Sequence, residues 1–423
     1  MNPRVAWVLL VCTARGVAAD PEAVLEQARK RLQSLTHSLS NYACIETVER
    51  RYYQPAEPPA CSPEAAFSAN PKLQSTDRLR LEVTVSEGRE IYSWPGATRF
   101  DSRDIDDIIR QGPIGTGSFG THLLGIFDTP GVAFHYTAER THQGHTVLEY
   151  QFHVPREASH YRIKVGAQWQ AMAYEGRFWL NPQSIELERL SISVANVPAE
   201  TSICALNAQL DYQPVRIGTT EALLPSEGQM HIAMQNARTT NNVTTFANCR
   251  EYVSESALSF DEGTGVQQTV RRTPARPIAI PLGLPVTLAL TTAIDTATAA
   301  AGDPITARVV KDVPRPGTDQ TLIPAGATVR GRITRAEQHL LPSPYVLVAI
   351  SFNRLVIDDA SYPFAARSEG NPDLAKDLGV NIFGPGQGLG FWDVGTFLFP
   401  GAKARVLPAG YQTKWITLAI RGR

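Results

Sequence analysis

No charge of one sign dominates the 423-residue chain: 40 Lys and Arg stand against 41 Asp and Glu. With no long charge run either, there is no electrostatic footprint for nucleic acid or an anionic membrane. No apolar stretch is long enough to form a spanning helix. Cysteine is scarce, with five residues, and none forms a C-x-x-C pair, so neither dithiol redox chemistry nor a zinc knuckle is indicated. The patterns G-x-S-x-G, H-E-x-x-H, S-x-x-K and the Walker loop are all missing, which weighs against an enzyme. Asp101, Asp104, Asp106 and Asp107 suggest calcium, but the central Gly and terminal Glu of an EF-hand loop are absent. Acids at a helix start, favoured by its dipole, explain them more simply.

Glycine, proline and β-branched residues are plentiful, which predicts many short strands. The N-terminus, MNPRVAWVLLVCTARGVAAD, has the form of an export signal over residues 1–19. Arg4 is its charged start, Val5–Val11 its apolar stretch, and Val17 and Ala19 the small residues before a cut ahead of Asp20. A lipid anchor at Cys12 is the lesser reading, because Val11 stands where a small residue is normally wanted. Cleavage leaves Cys44, Cys61, Cys204 and Cys249, an even count that implies two disulfides among three connectivities. Cys44–Cys61, flanking a Pro-rich loop, and Cys204–Cys249, on two strands that could be neighbours, are the expected pairs.

Asp20 and Pro21 predict a capped helix. Leu25, Ala28, Leu32, Leu35 and Leu39 give it one apolar stripe. The period then changes to two at Leu79, Leu81, Val83 and Val85. Strands continue through VAFHYTAER, TVLEYQFHV, HYRIKV, GRFWLNP, SIELERLSISV, ALNAQLDY and QMHIAMQNA, the pattern of an antiparallel meander. A Gly-, Pro-, Thr- and Arg-rich stretch over residues 263–284 reads as a linker. Beyond it VTLAL, ITARVV, TVRGRITRA, YVLVAISFNRLVI and KWITLAI are strands again. LIPAGATVRG is echoed by VLPAGYQTKW, which reads as two similar turn-strand units rather than a true repeat.

Three stretches invite a functional reading. GTGSFG, Gly115–Gly120, spells G-x-G-x-x-G. A dinucleotide fingerprint needs a buried strand before it and a helix after it. The preceding DSRDIDDIIRQGPI is acidic and helix-like, with Ile105, Ile108 and Ile109 as its apolar positions. The stretch therefore reads as a turn into a short helix capped by Ser118. In the hairpin turning at Gln143 and Gly144, Phe134, Tyr136, Leu148, Tyr150 and Phe152 share core-facing parity. His135, Glu139, Glu149 and His153 share the other, and could chelate a divalent ion or simply be solvated. Finally, Phe383, Phe391, Trp392, Phe397 and Phe399 gather among glycines, as a partner or membrane contact or as a lid on the second domain.

YEGRFWLNPQSIELERLSI, with LDYQPVRIG and LLP after it, resembles the outer-membrane lipoprotein carrier and sorting superfamily. Tyr174, Gly176, Trp179 and Pro182 carry the likeness, and Asn181 stands where Asp is usual. The segments NYACIETVERRYY and ANCREYVSESALSFDE frame the same domain. The resemblance implies a half-open antiparallel barrel with helices closing a hydrophobic cavity. From about Pro285, with Ala301, Gly302 and Asp303 leading into a strand and IPAGATVRG as the best match, the chain resembles the β-barrel domain of the outer channel subunit of type IV secretion systems. That likeness implies a domain used for assembly.

The expected architecture is therefore α+β and all-β. A helix lies on a curved antiparallel half-barrel sheet over 20–262, and a small β-barrel or sandwich follows over 285–423. The expected function is that of an exported, non-catalytic envelope protein, periplasmic or outer-membrane-associated. It would use no cofactor, catalytic residue or metal. It would bind a lipid or lipoprotein acyl chain between the first helix and the sheet, or a protein partner. The alternatives are a metal-dependent hydrolase built on His135 and His153, and a purely structural scaffold.

Overall fold

A computed structural model describes residues 20–38, 42–54, 71–86, 89–97, 105–109, 112–165, 167–194, 197–218, 220–251, 278–368 and 394–419. Residues 1–19, Cys61, Asp101, Asp104, most of the 263–284 stretch, Phe383, Phe391 and Trp392 lie outside the described residues, as do the side chains of Asp106 and Asp107.

Helix α1 (Pro21–Ser38) begins as its sequence predicts. The Asp20 carboxylate accepts the Glu22 amide at 3.2 Å, and its carbonyl accepts the Val24 amide at 3.0 Å. Val24, Ala28 and Leu32, one turn apart, form the buried stripe, and Leu25 and Leu35 flank it.

The twelve strands that follow are β1 (Tyr42–Gln54), β2 (Lys72–Ser86), β3 (Arg89–Ser93), β4 (Ala133–His142), β5 (His145–Val154), β6 (Arg162–Val165), β7 (Gln168–Ala171), β8 (Tyr174–Leu180), β9 (Leu187–Val194), β10 (Ile203–Ile217), β11 (Thr220–Met234) and β12 (Thr239–Glu251). Ten of them form an antiparallel array in the order β4-β5-β8-β9-β10-β11-β12-β1-β2-β3. The expected meander is its longer part. The short β6–β7 hairpin stands apart from it. At Gly176 a Cβ would fall 1.9 Å from the Ser191 carbonyl oxygen and 2.8 Å from the Phe152 ring, so only glycine lets β8 approach β9 there.

Cys44 is bonded to Cys249. This corrects both expected pairs. Because β1 inserts next to β12, Ala43 lies opposite Arg250 and Ile45 opposite Ala247, and a bulge between them brings the two cysteines together. Cys204 is also disulfide-bonded, and therefore to a cysteine other than Cys249.

In the C-terminal part Pro285–Leu290 lies between Pro304–Val309 and Gln412–Thr417. Pro304–Val309 pairs with Thr328–His339, which pairs with Tyr345–Ile357. The last of these pairs with Val394–Pro400, so Phe397 and Phe399 are strand residues rather than loop residues. The expected small barrel is not found: among the described residues no closed barrel forms. Among the described residues the short strand Ala366–Arg367, which pairs with Gln412–Thr417, meets the Val394–Pro400 strand through one bridge, Ser368 to Gly395. The two PAG turns dock alike. The Gly326 amide donates to the Val309 carbonyl and the Val309 amide to Ala327; the Gly410 amide donates to the Leu290 carbonyl and the Leu290 amide to Tyr411.

The two parts share one large sheet. Ser75–Asp77 of β2 pair with Glu337–His339, and the Ala301 backbone exchanges 2.8 Å hydrogen bonds with Arg78 and Arg80. The Arg80 guanidinium pairs with the Asp303 carboxylate, and Ala301 is buried in the core of the first part.

Non-reducing peptide mapping should return a Cys44–Cys249 peptide; a Cys44–Cys61 peptide would contradict the β1–β12 pairing. The bridge spans 205 residues. Replacing both cysteines with alanine should cost about 5 kcal/mol in the chain-entropy model, read from denaturant midpoints.

Candidate ligand-binding site

The histidine hairpin does not assemble a metal site. It turns at Gln143 and Gly144, with φ of 46° and 86°, as its sequence predicts. A bulge between Tyr136 and Ala138 then breaks the expected parity. Its extra residue, Thr137, donates to both the Glu149 carbonyl and carboxylate. Glu139 consequently lies opposite Leu148, Glu149 opposite Ala138, His135 opposite Gln151, and His153 opposite Ala133. Glu149 is buried and accepts hydrogen bonds from Trp179 Nε1 at 3.1 Å and Arg140 at 3.3 Å. Among the described residues no three His, Cys, Asp or Glu side chains converge as metal ligands. His135 and His153 keep one face and line a common pocket of about 700 Å³, while Glu139 moves to the other face.

The expected pocket between α1 and the sheet is largely filled. Val24, Ala28 and Leu32 pack into a continuous core with Phe127, Tyr150, Phe178 and Leu190. Phe178 lies at the centre, edge-on to Phe127 at 5.0 Å and stacked on Tyr150 at 5.1 Å. Each such burial is worth roughly 1.5–3 kcal/mol. A recess of about 170 Å³ lies beside Leu32 and Leu35.

A larger cavity, about 670 Å³, opens farther along the same sheet, and the Gly-rich stretch forms one wall. The Gly115–Gly120 loop does cradle an anion, but the anion is Glu90. One carboxylate oxygen of Glu90 accepts the Gly117 amide and the Tyr92 hydroxyl, each at 2.7 Å. The other accepts the Phe119 amide at 2.9 Å and the Gly120 amide at 3.4 Å. Gly117 has φ of +101°, and a Cβ there would meet the His122 ring at 2.9 Å. The amides that a nucleotide phosphate would need are already engaged. Ser118 makes no cap: the helical turn begins at Thr121 behind Gly120, without a side-chain bond. The Ser118 carbonyl instead accepts the Tyr212 hydroxyl at 2.9 Å. Phe119 is fully buried, edge-on to Tyr42 and Phe246, and fastens the loop to β1 and β12.

The rest of the cavity comes from the inner face of β10 to β12 and from the β6–β7 hairpin. Ile163, Leu206, Leu210, Met230 and Ile232 supply apolar surface. His122 lines it too, its ring stacked at 5.8 Å on Tyr161; burial lowers its pKa to about 4, so the imidazole is neutral at pH 7. Arg162, Lys164 and Trp169 on the hairpin are exposed at its edge.

Two polar groups in this cavity, Glu46 and Asn242, were missed in the sequence. Glu46 and Arg50 occupy the inward positions of β1, in register with the apolar Tyr42, Cys44 and Val48. Arg50 is satisfied by the Asp77 carboxylate through two 2.7 Å bonds. Glu46 is only 3% exposed and lines the cavity. Among the described residues no hydrogen bond or ion pair holds its carboxyl, which opens on the cavity. Burial, with Glu90 nearby, pushes it up to about 8. Asn242 of β12 donates from Nδ2 to the Pro113 carbonyl at 2.9 Å, while its buried Oδ1 has no partner. Charged letters at core parity in a strand were the available signal.

The hairpin-turn residues of the sequence resemblance play structural parts. The Asn181 side-chain oxygen accepts the Gln183 and Ser184 amides at 2.9 and 3.2 Å, the turn that Asp would make. No protein-family model matches the sequence, and no curated protein matches it. Solved structures give distant likenesses. A LolA superfamily protein from Nitrosomonas europaea is 8% identical, with a TM-score of 0.25, over 56% of this chain and 95% of that one. A putative outer membrane lipoprotein-sorting protein domain from Vibrio parahaemolyticus is 11% identical, with a TM-score of 0.28, over 56% and 94%. ComB10 of the Com type IV secretion system of Helicobacter pylori is 12% identical, with a TM-score of 0.18, over 33% and 86%.

The raised Glu46 pKa sets a pH dependence. The native state keeps this proton to about pH 8, while the unfolded chain releases it near the ordinary value of about 4.3. Its contribution is therefore complete below the unfolded value and declines by about 1.4 kcal/mol per pH unit up to the native one. Glu46→Gln should abolish that decline, so wild type and variant diverge in denaturant midpoint between about pH 5 and pH 8. Parallel curves would show that Glu46 is solvated.

Proposed function

We propose that the chain is an exported, non-catalytic cell-envelope protein that holds the apolar part of an amphiphilic ligand in the cavity beside the Gly-rich loop. The observation that carries this reading is the cavity itself. At about 670 Å³ it falls within the range of small-molecule sites, roughly 300–1,000 Å³. Burying an acyl chain there would gain about 0.8 kcal/mol per methylene. The Cys44–Cys249 bond supports an oxidising compartment, hence the periplasm or the outer membrane's inner surface.

The finer reading follows the sequence resemblance. Residues 20–262 act as a half-barrel carrier domain, with a lipid or lipoprotein acyl chain as ligand. Residues 285–423, after the 263–284 linker, dock on an envelope protein partner. No cofactor takes part.

Titration with a fluorescent fatty acid should give saturable binding at one site per chain. Met230→Trp, which places bulk in the cavity, should weaken it by about tenfold or more. A folded protein with no saturable binding, and no lipid in organic extracts of the purified protein, would contradict the reading.

A further inference from the structure

We propose that Glu46 forms the polar end of this cavity and receives a protonated amine, so that the ligand is an ammonium-bearing amphiphile. The inference rests on the cavity being a ligand site and adds which polar group it selects.

The argument begins with satisfaction. A buried carboxyl is ordinarily paired or hydrogen-bonded, because leaving it unpaired costs several kcal/mol. Glu46 is 97% buried, has no such partner among the described residues, and faces open space. Asn242, 1% exposed, lines the same space with an unpaired Oδ1, but lies opposite Arg50, four residues along the β1–β12 ladder from Glu46. Once ionised, the Glu46 carboxylate is an acceptor only. An ammonium group is three donors with no acceptor, and carries the charge that a carboxylate in an apolar site lacks.

The surroundings favour a cation at this end. Glu90 of β3, which holds the loop amides, lies close enough to Glu46 to raise its pKa. Arg50, on the same face of β1, is engaged by Asp77. His122 is neutral at pH 7. The phenols of Tyr42 and Tyr92 are neutral as well, their pKa values raised by burial. The cations Arg162 and Lys164 are exposed at the rim, where solvent screens them. The amine and the alkyl body divide the cavity accordingly, with the alkyl chain against Ile163, Leu206, Met230 and Ile232.

Binding then has a proton balance. In the free protein at pH 7 the Glu46 carboxyl holds its proton. The incoming ammonium displaces that proton, which passes to the solvent, and an ion pair replaces the neutral acid. Affinity for the amine should therefore rise with pH up to about 8, by as much as tenfold per unit.

Isothermal titration calorimetry with octylamine, octan-1-ol and sodium octanoate, in two buffers of different ionisation enthalpy, tests this. The expected result near pH 7 is octylamine binding about tenfold or more tighter than octanol, with release of about one proton. Octanoate should bind more weakly than octanol. In Glu46→Gln the amine advantage and the proton release should vanish while octanol affinity stays. Octanol binding without any amine advantage overturns the ammonium assignment and leaves the hydrophobic-ligand reading intact. Absence of binding by all three ligands overturns both. Should Glu46→Gln fail to fold, the wild-type proton count decides alone: amine binding without proton release contradicts the proposal.

Discussion

The hydrogen bonds between the Glu90 carboxylate and the amides of Gly117 and Phe119 hold together the part of the molecule that is open. One helix of 18 residues cannot cover the inner face of ten strands. α1 seals the end at β5, β8 and β9, where aromatic side chains interlock. Over the other end the chain must supply a different cover, and the loop after residue 112 does so. Glu90 fixes it at Gly117–Gly120, Tyr212 at Ser118, Asn242 at Pro113, and the Phe119 ring wedges between Tyr42 and Phe246. A loop carried on such fixed points stands over the sheet instead of collapsing into it, and the cavity is the space left beneath. Removing the carboxylate would strand backbone donors that are now satisfied, a cost of roughly 1.5–3 kcal/mol per charged hydrogen bond.

β1 carries the complementary tension. It is the strand that joins the meander to β2, and its bond from Cys44 to Cys249 locks it beside β12. A strand so placed would be expected to present only apolar side chains inward. It presents Glu46 and Arg50 as well. Arg50 is answered by Asp77 at the seam with the C-terminal part, where Ser75–Asp77 meet Glu337–His339, so that charge helps join the two parts. No hydrogen bond or ion pair among the described residues answers Glu46. A fold that retains an unpaired carboxyl in its core gives up stability there, and such sites are where function is sought.

Much of the architecture was legible in the sequence. The Asp20–Pro21 cap, the meander strands, the hairpin turn at Gln143–Gly144 and the equivalence of the two PAG turns all depend on local chemistry, and local chemistry is what a sequence displays. What depended on partners was not legible. The mixed letters ETVERRYY hide a central strand, because its inward charges are matched by Asp77 or by empty space. The disulfide pairing failed for the same reason: it follows from β1 lying beside β12, across most of the first part. Glu139 of the histidine hairpin was misplaced by one inserted residue, Thr137, which no alternation rule anticipates. The Gly-rich stretch read in the sequence as a turn into a short helix. Its use as a cradle for Glu90 depends on a residue 27 positions earlier, and that contact exists only in the fold.

The central claim is that the ligand space lies beside the Gly-rich loop and not beneath α1. Methyl-labelled NMR spectra recorded during a titration with octan-1-ol address it directly. The account predicts saturable shifts of the Ile163, Leu206, Met230 and Ile232 methyl signals while those of Val24, Ala28 and Leu32 stay in place. Shifts confined to the α1 residues, or no shifts at all from a folded protein, would contradict it.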